Sequence, residues 1–371
     1  MKFTCEKIIL QNAVMNVSRA AASKSPIPAL EGILVEAGVG VRLTGYDLKK
    51  GIYTTVEAAV NKSGSAIFGA KLFVEMIRRL PDGIISIEVS EDNTATVKCG
   101  KAEYTFQAMD ADDYPELPTV DYARAVTLPQ KLLREMIDET IFAVSSSESR
   151  PVYMGSKIEI GEGKLTLISL DGYRMAVRRE PLEDCGTDED MDFIVPGAAL
   201  ADVQRICEDS DDKVFLSVGT KHVSFTINET VVVSRRLEGE FLNFRKAIPE
   251  AFRAELMLPR GEFLSVVDRV SLVVDEKTKN PLRLIFNEGA VDFLCVTGVG
   301  RAEDSCPCEG DGGGVEIGFN DRYLRDALRA APCDNLKICI NTGSSPCVIF
   351  PADGSDKFSY MILPVRLRAG D

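Results

Sequence analysis

Tyr360-Met361-Ile362-Leu363-Pro364-Val365-Arg366-Leu367 lies four residues from the end of a 371-residue chain. Its apolar runs read as a last strand. Pro364, which has no backbone donor, belongs at a strand end or sheet edge. Such a strand either closes a core or leaves apolar side chains and unpaired backbone at the surface, where another chain could dock. The rest of the chain bears on the choice, because it builds strands of this kind three times.

The first segment starts with strand-like Met1 to Lys7, then a helical pattern from Leu10 to Ala22 carried by Leu10, Val14 and Val17. Ser25-Pro26-Ile27-Pro28 cannot continue a helix. Strands read at 32–36, 39–44 and 52–60, a second helix at 71–80, and strands at 84–89, 94–99 and 102–108, closed by an acidic Asp110–Tyr114 turn. The second segment repeats the order: strand 125–128, helix 129–144, strands 155–160, 164–169 and 175–179, a charged loop from Asp184 to Asp190, helix 197–208, and strands 213–218, 222–227 and 230–237. The third has strand 254–258, helix 260–274, separate strands 282–286 and 290–296, a Gly-rich loop over 310–314, strand 315–319, helix 320–331, and strands 335–341, 346–350 and 358–363. The second helices begin near 71, 196 and 320, about 125 residues apart, too long a period for a short-repeat solenoid. The spacing predicts three similar α+β domains, 1–122, 123–252 and 253–371, with helices on one face of antiparallel sheets and strands pairing from one domain into the next.

Composition narrows the function. Apolar content of 45% with 27% charged residues is that of a soluble globular protein, and no apolar run is long enough for a membrane-spanning helix. The N-terminus enters a strand pattern without a signal-peptide core, so a cytoplasmic location is expected. Ten scattered cysteines give no disulfide framework, and with a single histidine, His222, no metal or cofactor site is expected. The scarcity of histidine also weighs against an enzyme. The net charge of −14 opposes nucleic acid on average, so contact with DNA would need a locally reversed face. The six helical segments together carry a net charge of about +2, leaving the acidity to loops and strands. Arg78, Arg79, Arg205, Arg325 and Arg329 fall on those helices, where they could also be ordinary cations near helix C-termini.

Met1-Lys2-Phe3-Thr4, Leu170-Asp171-Gly172-Tyr173-Arg174-Met175-Ala176-Val177, Ile317-Gly318-Phe319-Asn320 with Tyr323, and Tyr360 to Leu367 together resemble the bacterial sliding clamps, the beta subunits of replicative DNA polymerases, from end to end. The resemblance implies three domains of one topology per chain, closed head to tail by two chains into a ring, with helices inside and sheets outside. It implies sequence-independent double-stranded DNA in the hole, a tethered replicative polymerase, and no catalysis. Clamp loader, other DNA polymerases, mismatch repair proteins and ligase would dock through short linear peptides.

Carried over by position, the peptide pocket would comprise Tyr153, Leu170, Gly172, Tyr173, Arg174, Met175, Leu242, Pro346, Met361, Leu363, Pro364, Val365 and Arg366, with Asn320 and Tyr323 on its rim. Tyr173, Leu242, Lys246 and Ala247 stand where the family often has His, Pro, Arg and Val. DNA would meet Lys24, Arg78, Arg79, Arg150 and Arg205, while Ala198 lacks a basic residue sometimes found there. At the dimer seam Phe106 would meet Leu272 and Val273 of the other chain, with Glu303 and Asp304 facing Lys98 or Lys101. The tail Arg368–Asp371 runs past the family's usual end and could shade the pocket.

Two other readings stay open at this point. One is a monomeric peptide-binding adaptor of the same fold. The other is an enzyme using Asp171 and Arg174, or Glu135, Asp138 and Glu139, although Gly310–Gly314 lacks the lysine and following helix of a phosphate-binding loop.

Overall fold

The computed structural model describes residues 1–120, 125–182, 190–274 and 280–367. The tail Arg368–Asp371 and the charged loop up to residue 189 lie outside the described residues. The first segment folds as β1 (Lys2–Glu6), α1 (Lys7–Val17), β2 (Gly32–Ala37), β3 (Val41–Tyr46), β4 (Lys50–Val56), β5 (Ala59–Lys62), β6 (Gly64–Gly69), α2 (Ala70–Arg79), β7 (Ile84–Val89), β8 (Thr94–Cys99) and β9 (Ala102–Gln107). The second has β10 (Ala125–Pro129), α3 (Gln130–Asp138), β11 (Gly155–Gly161), β12 (Lys164–Leu170), β13 (Arg174–Pro181), β14 (Met191–Pro196), α4 (Gly197–Ile206), β15 (Lys213–Val218), β16 (His222–Ile227) and β17 (Thr230–Arg235). The third has β18 (Ala254–Pro259), α5 (Arg260–Val270), β19 (Leu282–Val296), β20 (Arg301–Phe319), α6 (Asp321–Ala330), β21 (Asn335–Ile340), β22 (Cys347–Pro351) and β23 (Phe358–Ile362).

The chain forms two compact units, one holding 1–134 with 198–236, the other 135–182, 190–197 and 237–367. In the first unit a five-stranded sheet runs β5-β1-β7-β8-β9 and an eight-stranded sheet runs β10-β15-β16-β17-β4-β3-β2-β6. In the second unit one ten-stranded sheet runs β14-β11-β12-β13-β23-β22-β21-β18-β20-β19. Strands therefore do pair from repeat to repeat. β4 pairs antiparallel with β17, Lys50 opposite Ser234 and Thr54 opposite Thr230. β13 pairs antiparallel with β23, Arg174 opposite Ile362 and Arg178 opposite Phe358.

The helices lie on these sheets through one apolar face each. α1 buries Leu10, Ala13, Val14 and Val17; α6 buries Leu324, Ala327 and Leu328 and exposes Arg322 and Arg329. The first helix of every repeat ends early, in a 3₁₀ turn: Ser18–Ala20, Ile141–Ala143 and Ser271–Val273. This shortens the helices expected over 10–22, 129–144 and 260–274. In the second repeat the cause is visible: Thr140 leaves helical geometry at φ −128° and its Oγ1 donates back to the Met136 carbonyl at 2.8 Å.

Three strand readings change. The run expected over 52–60 is β4 and part of β5, followed by β6; β5 is a four-residue, largely exposed edge strand with no apolar alternation to reveal it. β14 stands between the expected charged loop, 184–190, and the expected helix, 197–208, where no strand was read. The segments 282–286 and 290–296 are one strand, β19, with register slips on either side of Glu288, and the supposed loop over 310–314 lies inside β20. Glycine serves close approach there: a Cβ on Gly312 would sit 2.4 Å from the Phe286 carbonyl oxygen.

Candidate functional site

The turn between β12 and β13 brings the sequence-named residues together. Asp171 Oδ1 accepts the N–H groups of Tyr173 (2.8 Å) and Arg174 (3.0 Å), and Gly172 takes the left-handed φ of +94° that closes the turn. Leu170 and Met175, on either side, point into an apolar cluster with Ile168, Val177, Phe244, Val348 and Met361. Tyr153, Phe241, Ala247, Phe252, Phe350 and Leu363 pack partly exposed around it. Met175 and Met361 face one another across the β13–β23 ladder, so both walls are fixed by backbone pairing.

Beside the cluster Arg174 is only 7% exposed. Its Nε donates to Asp171 Oδ2 at 3.0 Å and its Nη1 to Asp326 Oδ2 at 2.7 Å. The guanidinium lies 4.4 Å from the ring centre of Tyr323 and 5.4 Å from that of Phe142. Tyr173 stacks on Tyr323 at 6.4 Å and is 63% exposed. Burial pushes the Tyr323 hydroxyl's pKa up, so it stays a neutral hydrogen-bonding group. Asn320 caps α6, its side chain accepting the Tyr323 N–H at 3.2 Å.

The chain end is tied down, which favours the first of the two readings of the last strand over unpaired backbone. Leu363 N–H donates to the Tyr173 carbonyl and Val365 N–H to the Gly318 carbonyl, each at 2.8 Å, on either side of donorless Pro364. Gly318 makes room: a Cβ there would lie 2.6 Å from the Val365 carbonyl oxygen and 2.8 Å from Leu367 Cδ2. Arg366 is exposed, Pro346 is half-buried outside the cluster, and Leu242 is 45% exposed rather than in a wall.

Sequence reading missed Phe241 and Phe244, Phe350, and the anchoring Asp326. Phe241-Leu242-Asn243-Phe244 carried a signal, two phenylalanines three apart with Leu242 between them, flanked by charged Glu240 and Arg245. Asp171 and Arg174 serve the turn and this anchor. Glu139 is instead buried against Arg178, with Glu180 on the other side of that guanidinium.

The basic residues on helices and loops are unequal. Arg78 and Arg79 both engage Glu75, at 2.9 and 3.1 Å, and Arg205 lies 3.8 Å from Asp202. Lys24 is exposed with no partner among the described residues; Arg150 is exposed, 5.8 Å from the Tyr153 ring centre. Phe106, on the free edge of β9, meets Phe68 at 5.4 Å within its own repeat. Leu272 is 82% exposed, while Val273 packs partly against the core of its unit. Within the chain Glu303 pairs with Arg301, Asp304 with Arg269 at 2.7 Å, and Lys98 with Glu103 at 3.1 Å.

Comparison with known proteins completes the picture. Residues 1–118, 127–243 and 245–366 match, in order, the family models for the N-terminal, central and C-terminal domains of the DNA polymerase III beta subunit. The chain belongs to the bacterial DNA sliding-clamp family.

Among curated relatives, the beta sliding clamp of Halalkalibacterium halodurans is 29% identical over 99% of this chain and 100% of its own length. That of Staphylococcus aureus is 29% identical over 99% of each. The crystal structure of the DNA polymerase sliding clamp from Bacillus subtilis superposes with a TM-score of 0.94 at 28% identity, covering 99% of this chain and 100% of that one. The three-domain clamp fold accounts for the threefold order of elements, and no described helix is long and apolar enough to cross a membrane.

Proposed function

We propose that two copies of this chain close head to tail into a ring around double-stranded DNA, without reading its sequence and without catalysis. The ring tethers the replicative polymerase and takes clamp loader, other DNA polymerases, mismatch repair proteins and ligase through short peptides. The observation that carries the recruiting role is the apolar cluster at Leu170, Met175, Phe244 and Met361, rimmed by partly exposed Tyr153 and Leu363 and walled by β13 and β23. A peptide with Leu or Phe anchors suits it, because burying such side chains supplies affinity while the rim stays wet.

Ring closure is supported by two open edges, β9 and the start of β20. β9 has a strand on one side only. Among the described residues β20 pairs only with β19 up to Pro307, and its pair with β18, Met257 opposite Glu309, comes after that point. Phe106, Leu272 and Val273 lie near these edges and would join the seam. Lys24, Arg78, Arg79, Arg150 and Arg205 are the phosphate contacts in this reading. Their partial neutralisation by Glu75 and Asp202 suits a slider, which must hold phosphates loosely. A closed ring makes up for weak contact through effective concentration.

The test is loading onto nicked circular DNA by a clamp loader, followed by linearisation. Loss of the protein from the cut DNA is expected. Retention on linear DNA with free ends overturns topological tethering. A fluorescent polymerase-tail peptide should bind the free protein, and absence of binding overturns the recruiting role.

A further inference from the structure

The face of β12 and β13 that carries the apolar cluster changes chemistry within one rung. Leu170 opposite Met175 and Ile168 opposite Val177 belong to the cluster. The next pair on that face, two residues further along each strand, is Thr166 opposite Arg179. The polar row continues across the sheet through Glu159, opposite Thr166, to Asp192, opposite Glu159. Phe244 marks the border. Its ring packs in the cluster, with the Arg179 guanidinium 5.6 Å and the Arg245 guanidinium 4.5 Å from its centre.

Beyond Phe244 lies a hollow of about 550 Å³, bordered by Arg179, Arg245, Thr166, Glu159, Lys164 and Asp356. Most charges around it are answered. Glu159 takes Arg245 at 2.8 Å and Lys157 at 3.0 Å, Asp192 takes Lys157 at 2.8 Å, and Lys164 reaches Asp356 at 3.3 Å. Glu162 and Asp190, at the mouth, are exposed, so water solvates them. Arg179 is the exception. It is half-buried, and its Nη1 donates to the Asp356 carbonyl at 3.0 Å and to Ser359 Oγ at 3.5 Å. Among the described residues its guanidinium has no carboxylate partner, and its Nε and Nη2 make no hydrogen bond. Burial lowers its pKa from the ordinary arginine value, the mark of a charge that its surroundings under-compensate.

We infer that Arg179 receives a carboxylate from the docked peptide, the side chain of an acidic residue flanking the apolar anchors, in the hollow beyond Phe244. The inference rests on the recruiting reading above and adds a charged subsite to it. The spacing suits an extended peptide, whose second residue past an anchor lies ~7 Å further on, as Arg179 lies past Val177 along β13. A carboxylate can take two parallel donors of the guanidinium fork, and Nε with Nη2 offers that pair. A basic side chain would find only hydrated carboxylates at the mouth, or ones already shared with Arg245, Lys157 and Lys164.

The test is fluorescence anisotropy on the full chain with two labelled peptides that share their Leu and Phe anchors. The residues two places outside the anchors, on both sides, are Glu in one peptide and Gln in the other. The Glu peptide should bind about fivefold more tightly at low salt, and the gap should narrow as salt rises. That preference runs against the net charge of −14, which by itself disfavours the acidic peptide. Arg179→Gln should abolish the difference between the two peptides, and Arg179→Lys should restore part of it. Equal affinities for the unaltered chain overturn the subsite, as does a preference that survives Arg179→Gln. Failure of both peptides to bind overturns the recruiting reading itself, and the subsite with it.

Discussion

Arg174 and Asp326 are joined by a 2.7 Å hydrogen bond in which the guanidinium is almost fully buried. Removing one partner strands the other charge in a poorly hydrated place. Asp326→Asn should cost about 3 kcal/mol of unfolding free energy, seen in urea titration. Arg174→Ala should do the same and release Tyr323, lowering peptide affinity as well.

Gly318→Ala should act on the chain end rather than on the core. The added methyl meets the Val365 carbonyl oxygen and Leu367, so the segment after Pro364 must leave its place. Peptide binding, followed by fluorescence anisotropy, should weaken at least tenfold, with the melting temperature shifted by only a few degrees. Deleting everything from Met361 would be a poorer test, because Met361 and Ile362 are ladder residues of β23, paired to both β13 and β22.

Phe244 is buried between the guanidinium groups of Arg179 and Arg245, 5.6 and 4.5 Å from its ring centre. Phe244→Ala should cost about 3–5 kcal/mol and open the floor of the cluster. Tyr153→Ala, at its partly exposed rim, should lower peptide affinity with little loss of stability.

The Asp304 carboxyl is held below the usual aspartate range by its hydrogen bond from Arg269 and by the Ser305 N–H. A depressed folded-state pKa means that its contribution to stability is present above the ordinary aspartate pKa and lost as pH falls through the lower, folded value. Carboxyl-carbon NMR should place its titration below that of a free aspartate, and Arg269→Ala should move it back up.

Lys24→Ala and Arg150→Ala should each shorten the residence of loaded protein on circular DNA at low salt. Each should reduce the slope of log affinity against log salt by about one phosphate contact. No change in the slope would remove these two residues from the DNA-facing set.

The repeat was legible because helix spacing survives sequence drift: Phe73, Met76 and Ile77 give a face that can be read, and its counterparts recur at Leu200 and Leu324. The turn at Asp171 was legible for the same reason, through side chains that close backbone turns. Other elements carried little signal. β5 is short, exposed and at an edge, and the glycines of β20 read as a loop because bulge and loop draw on the same residue. Of the apolar cluster, β13 and β23 supplied recognisable apolar runs. Phe244 and Phe350 were not evident because their meeting depends on a ladder between distant segments, which no local pattern records.

In the proposed recruiting role, the ladder between β13 and β23 also limits how partner choice can change. Five residue pairs lock the two walls of the cluster side by side, so its outline exists before any ligand arrives. Preference among ligands is then a matter of what projects from a rigid frame, such as the phenol of Tyr173. Retuning it calls for a new side chain at the rim and leaves the frame as it stands.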